Sequence, residues 1–529
     1  MSNYILAVDL GTSGPKVGLF SIQKGIVDYE FVPVTVTLLP QGGAEQCPFE
    51  WWSAIKTAIK ALLERNTALA KAVVAVSCTS QWSGTVAVDK TGTPLMNAII
   101  WMDSRGAPYI KQITGGLVEI AGYHPWKLQT WLRKTAGVPA HSGKDPIAHI
   151  LYIKHALPEI YQQTYKFLEP KDYLNLCFTG KFAASIDSMA LHWVADMRDL
   201  TKVAYDQTLL DLATLEYEKL PDLKQAIDIL GPLKPNLAKE LGLRPDVPVI
   251  MGTPDVQSAA IGSGAVKDYE VHLYLGTSSW IVCHVPFKKT DVFHSIATLP
   301  SAIPERYFVG TEQESAGACL NYLRDQILFP EDRLTRQTKP DDFYQICDEM
   351  VAQTPVGSNG LIFTPWLYGE RTPVEDHTLR GGFHNLSLNH SRNHMIRAVF
   401  EGVACNSRWL LKYFEKFIKR PVPTMTIVGG GANADIWCQI YADVLGRTIK
   451  QLKNPILVNL QGAAFLALVS LGQLSFDQIP DHIQIANTYK PNLNNKQLYD
   501  DLFNTYIDIY KRNHSLYAAL NKTGLSEKN

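Results

Sequence analysis

The chain opens with an apolar run, NYILAVDL (residues 3–10), then a small polar turn, GTSGP, then a second run, KVGLFSI (16–22). Two apolar runs around a glycine-rich turn predict a pair of strands. Residues 27–39 continue in extended, β-branched sequence. The period then changes. In WWSAIKTAIKALLERN (51–66), Trp52, Ile55, Ile59 and Leu62–Leu63 fall on one helical face. AVVAVSC (72–78) returns to strand, and strands and helices alternate from there, which predicts an α/β protein. After residue 250 the opening pattern recurs. VIMGTPD (249–255) ends a strand, EVHLYLGTSSWIVCHV (270–285) reads strand–turn–strand, and TMTIVGGGANADIWCQIYADVLG (424–446) reads strand–glycine turn–helix. No shorter period repeats. The proline-rich segment PDVPVIMGTPD (245–255) marks the expected boundary, giving domains 1–248 and 249–529 that face each other across a cleft.

Composition narrows the class. Of 529 residues, 46% are apolar and 19% charged, enough to bury a large core. Lys+Arg at 50 against Asp+Glu at 51, with no basic run, gives no footprint for nucleic acid or an anionic membrane surface. The first eleven residues lack a secretory pattern, and the longest apolar window, GAAFLALVSLG (462–472), is too short to span a bilayer. The eight cysteines form no CxxC pair and several stand in apolar stretches, so they read as buried thiols of a reducing, cytoplasmic compartment. The 14 histidines show no metal-ligand spacing.

The sequence LGTS occurs twice, at residues 10–13 and 275–278, about half the chain apart. Small side chains leave backbone N–H groups open to an anion, and the hydroxyls add donors. A hairpin turn explains either copy alone. Matching copies in two halves instead suit a triphosphate gripped from both sides. GxxxxGK[ST] occurs nowhere, which excludes an ordinary P-loop. GGGAN (429–433) follows an apolar strand and opens a helix, a place where a nucleoside can lie against backbone, or simply a tight strand–helix turn.

With these pieces in view the chain resembles the FGGY family of carbohydrate kinases, within the actin-like ATPase superfamily, and there it is most similar to the xylulokinases. The resemblance runs from Asp9 to about residue 470. It is carried by DLGTSGPK (9–16), PFEWW (48–52), IWMDSR (100–105), EPKDYLNLCFTGKFAASIDSMA (169–190), LGTSSW (275–280), YGERTP (368–373) and GGGANADIWCQIYADVLG (429–446). GGFHNLSLNHSRNHMIRAVFEG (381–402) resembles the second family signature with Asn385 where glycine is usual. PIAHILYIKHALPEIY (146–161) resembles the first more loosely, with His149 and Tyr152 where Lys and Trp are common.

The resemblance implies two duplicated actin-like, ribonuclease H-like domains around a central cleft, and an ATP- and Mg²⁺-dependent transfer of phosphate to a free sugar. By the same resemblance Asp255 is the catalytic base and Asp9 the magnesium ligand. A lone strand-end Asp is otherwise a helix cap. Thr12, Ser13 and Lys16 face the phosphates from one side, Gly276 and Thr277 from the other, and Gly430, Gly431 and Asn433 line the adenosine. On the sugar side SQWSG (80–84) stands where xylulokinases carry a Met–His pair and glycerol kinases an Arg–Glu pair. Trp82 can stack on a sugar's C–H face, with Gln81 and Ser83 bonding its hydroxyls; ordinary core is the alternative reading of Trp82. Asp103 matches a family sugar-site aspartate, with Arg105 as its anchor or half of a structural ion pair. Glu401 reads as a buried helix-packing acid outside the site. Xylulose or a related ketose or polyol is the favoured acceptor, and glycerol is not. The expected partners are ATP and the sugar, with a homodimer as the candidate assembly and neither nucleic acid nor membrane. Two other readings keep the fold without the reaction: an ATP-driven conformational protein, and a catalytically silent sugar sensor. The helix-like TYIDIYKRNHSLYAAL (505–520) is expected to close the chain, with a fraying end.

Overall fold

The computed structural model describes residues 3–120, 122–135, 137–335 and 338–521. The expected fraying end falls on residues 522–529, outside the described residues.

Two sheets organise the molecule. The first contains β1 (Tyr4–Gly11), β2 (Gly14–Ser21), β3 (Gly25–Phe31), β4 (Val73–Ser80), β5 (Ile229–Pro232) and β6 (Pro248–Ile250), in the order β5-β6-β4-β1-β2-β3. The second contains β7 (Val271–Leu275), β8 (Ser279–Val285), β9 (Thr290–Asp291), β10 (Ile296–Pro300), β11 (Tyr307–Gly310), β12 (Thr424–Val428), β13 (Thr448–Leu452) and β14 (Ile485–Tyr489), in the order β9-β10-β11-β8-β7-β12-β13-β14. Their centres match. β1 lies antiparallel to β2 and parallel to β4, as β7 lies antiparallel to β8 and parallel to β12. β6 and β13 then add in parallel at equivalent places. Both LGTS copies form the turn of the first hairpin in their sheet. β1 reads as a nearly continuous apolar run because both of its faces are covered.

Helix α1 (Pro48–Arg65) starts earlier than its apolar spacing suggests, since Pro48 fits the first helical position. It buries Trp51, Ile55, Ile59, Leu62 and Leu63 against the first sheet. Two other helices are exchanged between the halves. α2 (Asp255–Gly262) follows β6, yet its Ala260 packs on Trp280, Val282 and Phe308 of the second half. In the second half, α3 (Arg392–Ile418) and α4 (Asp435–Leu445) lie against the core of the second sheet, while α5 (Val458–Ser470) follows β13 and buries Leu460, Ala463, Ala464 and Phe465 against Ile5, Ala7 and Phe20 of the first sheet. The apolar window of the sequence is thus α5, a helix buried on all sides, as its all-round apolar pattern requires. α2 and α5 cross so closely that a Cβ on Gly262 or Gly462 would overlap the backbone of the other helix. Ser258 Oγ donates to the Asn459 carbonyl at 2.8 Å, and Gln461 Nε2 to the Gly262 carbonyl at 2.8 Å.

This exchange moves the expected boundary. β6 pairs with β4 in the first sheet, so residues 249–262 belong with the first half, and the second sheet starts at Val271. The last helix, α6 (Lys496–Leu520), is longer than the closing helix expected at 505–520. All eight cysteines are free, and no described helix is long and apolar enough to cross a membrane.

Candidate active site

The site is built at the carboxyl ends of the central strands. Asp9, on β1, faces Lys16 on β2 as its cross-strand partner, with Nζ 3.4 Å from Oδ2. Asn459, at the start of α5, places Nδ2 3.5 Å from both Asp9 oxygens. Its own Oδ1 is buried without a partner. An acidic side chain held only by long contacts, beside an unsatisfied amide oxygen, is a donor set that suits Mg²⁺. That ion takes one or two protein oxygens and completes its shell with water and phosphate. Among the described residues no three His, Cys, Asp or Glu converge as a closed metal cage.

Asp255 is the first residue of α2, and Val256 N–H donates to its Oδ1 at 2.8 Å, a cap-like bond that leaves Oδ2 free. Burial pushes its carboxyl up to about 8; Asp9 and Glu312 push the same way, against the Val256 N–H and Lys16. Asp255 therefore stands within electrostatic reach of Asp9, although it follows the last parallel strand of the first sheet rather than opening the second half.

The two LGTS turns differ in how they are held. In the first, Ser13 is exposed and Thr12 is bound into a polar set. Thr12 Oγ1 donates to Gln81 Oε1 at 3.1 Å and accepts from Trp101 Nε1 at 3.0 Å, while its carbonyl accepts from Gln46 Nε2 at 2.8 Å. In the second, Thr277 is exposed, and the carbonyls of Gly276 and Thr277 accept from Gly317 N (2.8 Å) and Ala316 N (2.9 Å). GGGAN forms a short helical turn after β12. Gly429 has φ 95° and is pressed against the Leu275 carbonyl. Gly431 also faces Leu275, whereas Gly430 faces open space and Asn433 is exposed. The open face of this turn is therefore that of Gly430 and Asn433; the missing side chain of Gly431 makes room for β7.

SQWSG follows β4 as GGGAN follows β12. Gln81 is pinned by Gln46 Oε1 at 2.7 Å and by its own N–H to the Leu10 carbonyl at 2.8 Å. Trp82 Nε1 donates to the Ser188 carbonyl at 3.0 Å, and its ring lies on the edge of the neighbouring core. Ser83, at φ 63°, donates to the Lys144 carbonyl at 2.7 Å, and Gly84 N–H to Glu169 Oε2 at 2.9 Å. Asp103 accepts from Ala44 N, Arg105 N and Arg105 Nε, each at 2.9 Å, and Arg105 also pairs with Glu45. Arg105 is thus the anchor of Asp103. Glu401 accepts from Gly357 N, Ser358 Oγ, Arg397 Nε and Tyr499 OH, a packing role away from the cleft.

Four contributors escaped the sequence reading. Trp101 and Arg371, the latter paired with Glu312 and Glu314, stand inside the motifs IWMDSR and YGERTP; Gln46 lies just before PFEWW. Asn459 carried no signal, because its contact with Asp9 arises only when α5 crosses to the other sheet.

Paired hydroxyl-rich turns beside two carboxylates within electrostatic reach of each other, on a duplicated α/β fold, form a two-domain phosphotransferase architecture, and solved structures share it. The gluconate kinase from Lactobacillus acidophilus superposes with a TM-score of 0.85 at 26% identity, covering 98% of this chain and 100% of that one. The ligand-bound xylulose kinase from the same organism gives 0.84 at 26%, with the same coverage. The xylulose kinase of Staphylococcus epidermidis is 30% identical over 98% of both chains. The N-terminal domain of the FGGY family of carbohydrate kinases matches residues 4–262, and the family's C-terminal domain matches residues 272–471. The chain belongs to the FGGY family of carbohydrate kinases, with the duplicated actin-like ATPase fold of that family.

Proposed function

We propose that the protein transfers the γ-phosphoryl of ATP to a hydroxyl of a neutral ketose or polyol, xylulose first among them, with Asp255 accepting the hydroxyl proton. The observation that carries this reading is the pair of carboxylates within electrostatic reach, Asp9 from β1 and Asp255 from α2, one beside a donor set fit for Mg²⁺ and the other with a free oxygen. Magnesium, when bound with ATP, neutralises charge on the phosphates and on Asp9. Lys16 and the two LGTS turns bind phosphate oxygens, and Gly430 and Asn433 receive the nucleoside. Asp255 holds its proton while Asp9 is bare. Once Asp9 is neutralised, one cause of its raised pKa is gone, and the carboxylate can take a proton from the sugar as the phosphoryl group transfers.

The cations around the sugar turn favour a neutral acceptor over an aldonate. Arg105 is paired with Asp103 and Glu45, Lys144 with Glu314, Arg371 with Glu312 and Glu314, and Lys171 with Asp172. A carboxylate substrate would have to displace one of these partners. The test is a coupled ADP-release assay over pentuloses, hexuloses, polyols and aldonic acids. Ketose-dependent ADP release is the expected result. ADP release indifferent to every sugar would favour an ATP-driven conformational protein, and none at all a silent sensor.

A further inference from the structure

We infer that Lys144 is the positioning residue that couples the sugar turn to closure of the second domain; this rests on the kinase reading above. Lys144 belongs to the N-terminal family domain and Glu314 to the C-terminal one. Lys144 Nζ lies 3.4 Å from both Glu314 oxygens and 4.9 Å from the Tyr368 ring centroid, with the two charged side chains only 8% and 2% exposed. At its other end the Lys144 carbonyl accepts the Ser83 hydroxyl of SQWSG.

Both ends of this link are braced. The loop bearing Lys144 is tied down by Asp145, whose Oδ2 accepts from Ala140 N at 3.0 Å and Trp193 Nε1 at 2.8 Å. Glu314 is held by Arg371, with Nη2 3.0 Å and Nε 3.1 Å from Oε1, and its backbone N–H donates to Glu370 Oε1 at 3.1 Å. Arg371 in turn pairs with Glu312, one of the groups that raises Asp255. A continuous polar path thus runs from the sugar turn through Lys144, Glu314 and Arg371 to Glu312 in the second domain.

An ion pair that is desolvated only when two domains meet adds little net energy, but it demands one geometry. With the domains apart, Lys144 and Glu314 return to water. Together, they fit when Ser83, with the Asp145 brace, holds the Lys144 loop in place. A sugar that orders the turn therefore favours the closed form, and ATP gripped between the halves favours it too.

Lys144→Met removes the charge, keeps the stem, and leaves Glu314 paired with Arg371, so the fold retains its other contacts. The expected result is a kcat/KM for sugar and a sugar–ATP coupling factor each about tenfold lower. Affinity for MgATP alone and the melting temperature stay unchanged, and Lys144→Arg restores the coupling. A variant with wild-type kcat, KM and coupling overturns the inference, and so does one that loses MgATP affinity in the absence of sugar. If the wild type shows no sugar-dependent ADP release, it is the kinase reading that fails. Small-angle scattering then decides the latch separately: adding sugar must lower the radius of gyration of the wild type more than that of Lys144→Met, and equal changes overturn it.

Discussion

Asp255 is where local chemistry is most exposed to test. Asp255→Asn is expected to lower kcat by about 10²-fold or more while leaving calorimetric binding of ATP and sugar in place. The same change has a signature in stability. An unfolded aspartate titrates near 3.8 and the folded one near 8, so folding takes up a proton between those values. Stability of the ligand-free protein therefore falls as pH rises from 3.8 towards 8. Asp255→Asn removes that loss, and its melting temperature should exceed the wild type's by more at pH 8.5 than at pH 5. Around the nucleoside, Gly430→Val should weaken ATP binding with the sugar site intact, read by calorimetry, because its Cβ points into open space. Gly431→Val should instead destabilise the protein, because its side chain meets Leu275. That distinction was not legible in GGGAN, where three identical letters conceal which backbone face is open. Asn385 shows the converse. A residue that departs from the family's usual glycine keeps φ at 66°, which asparagine tolerates.

At the scale of elements, the exchanged helices fix the halves to each other. Gly462 lies against the Ser258 carbonyl, so Gly462→Val must force α2 and α5 apart. Overpacking of this kind costs about 1–3 kcal/mol, read as a lower denaturation midpoint. Because α2 carries Asp255 and α5 carries Asn459, the surviving folded protein should also lose kcat. Strand, hairpin and helix identities were legible from period and turn residues: β1 and β2 around the first LGTS, β7 and β8 around the second, α1 from its apolar stripe. The boundary at 248 was not. The sequence pattern marks where a strand ends; which sheet that strand joins, and that the following helix crosses to the other half, depend on contacts hundreds of residues apart in sequence.

The whole molecule predicts cooperation between ligands. The first LGTS turn lies in one half and the second in the other. SQWSG and Asp255 both stand on the first half, so on the proposed reading closure carries the second LGTS turn, and the ATP it would hold, toward the acceptor. Sugar and a non-hydrolysable ATP analogue should each tighten the other. Thr277→Ala should reduce both ATP affinity and that coupling, although residue 277 lies far along the chain from SQWSG. Independent affinities, together with a radius of gyration that does not fall on adding sugar, would sink the two-jaw picture and leave the family assignment untouched.

The match between the halves also carries a history. SQWSG and GGGAN close equivalent strands, β4 and β12, beside equivalent hairpins. On the proposed reading, acceptor and donor are thus received at the same address in two copies of one fold. Such an arrangement fits a duplicated unit carrying the same cradle twice. Within one chain the two cradles are free to diverge in sequence, as SQWSG and GGGAN have, while the strands that carry them keep the same pairing.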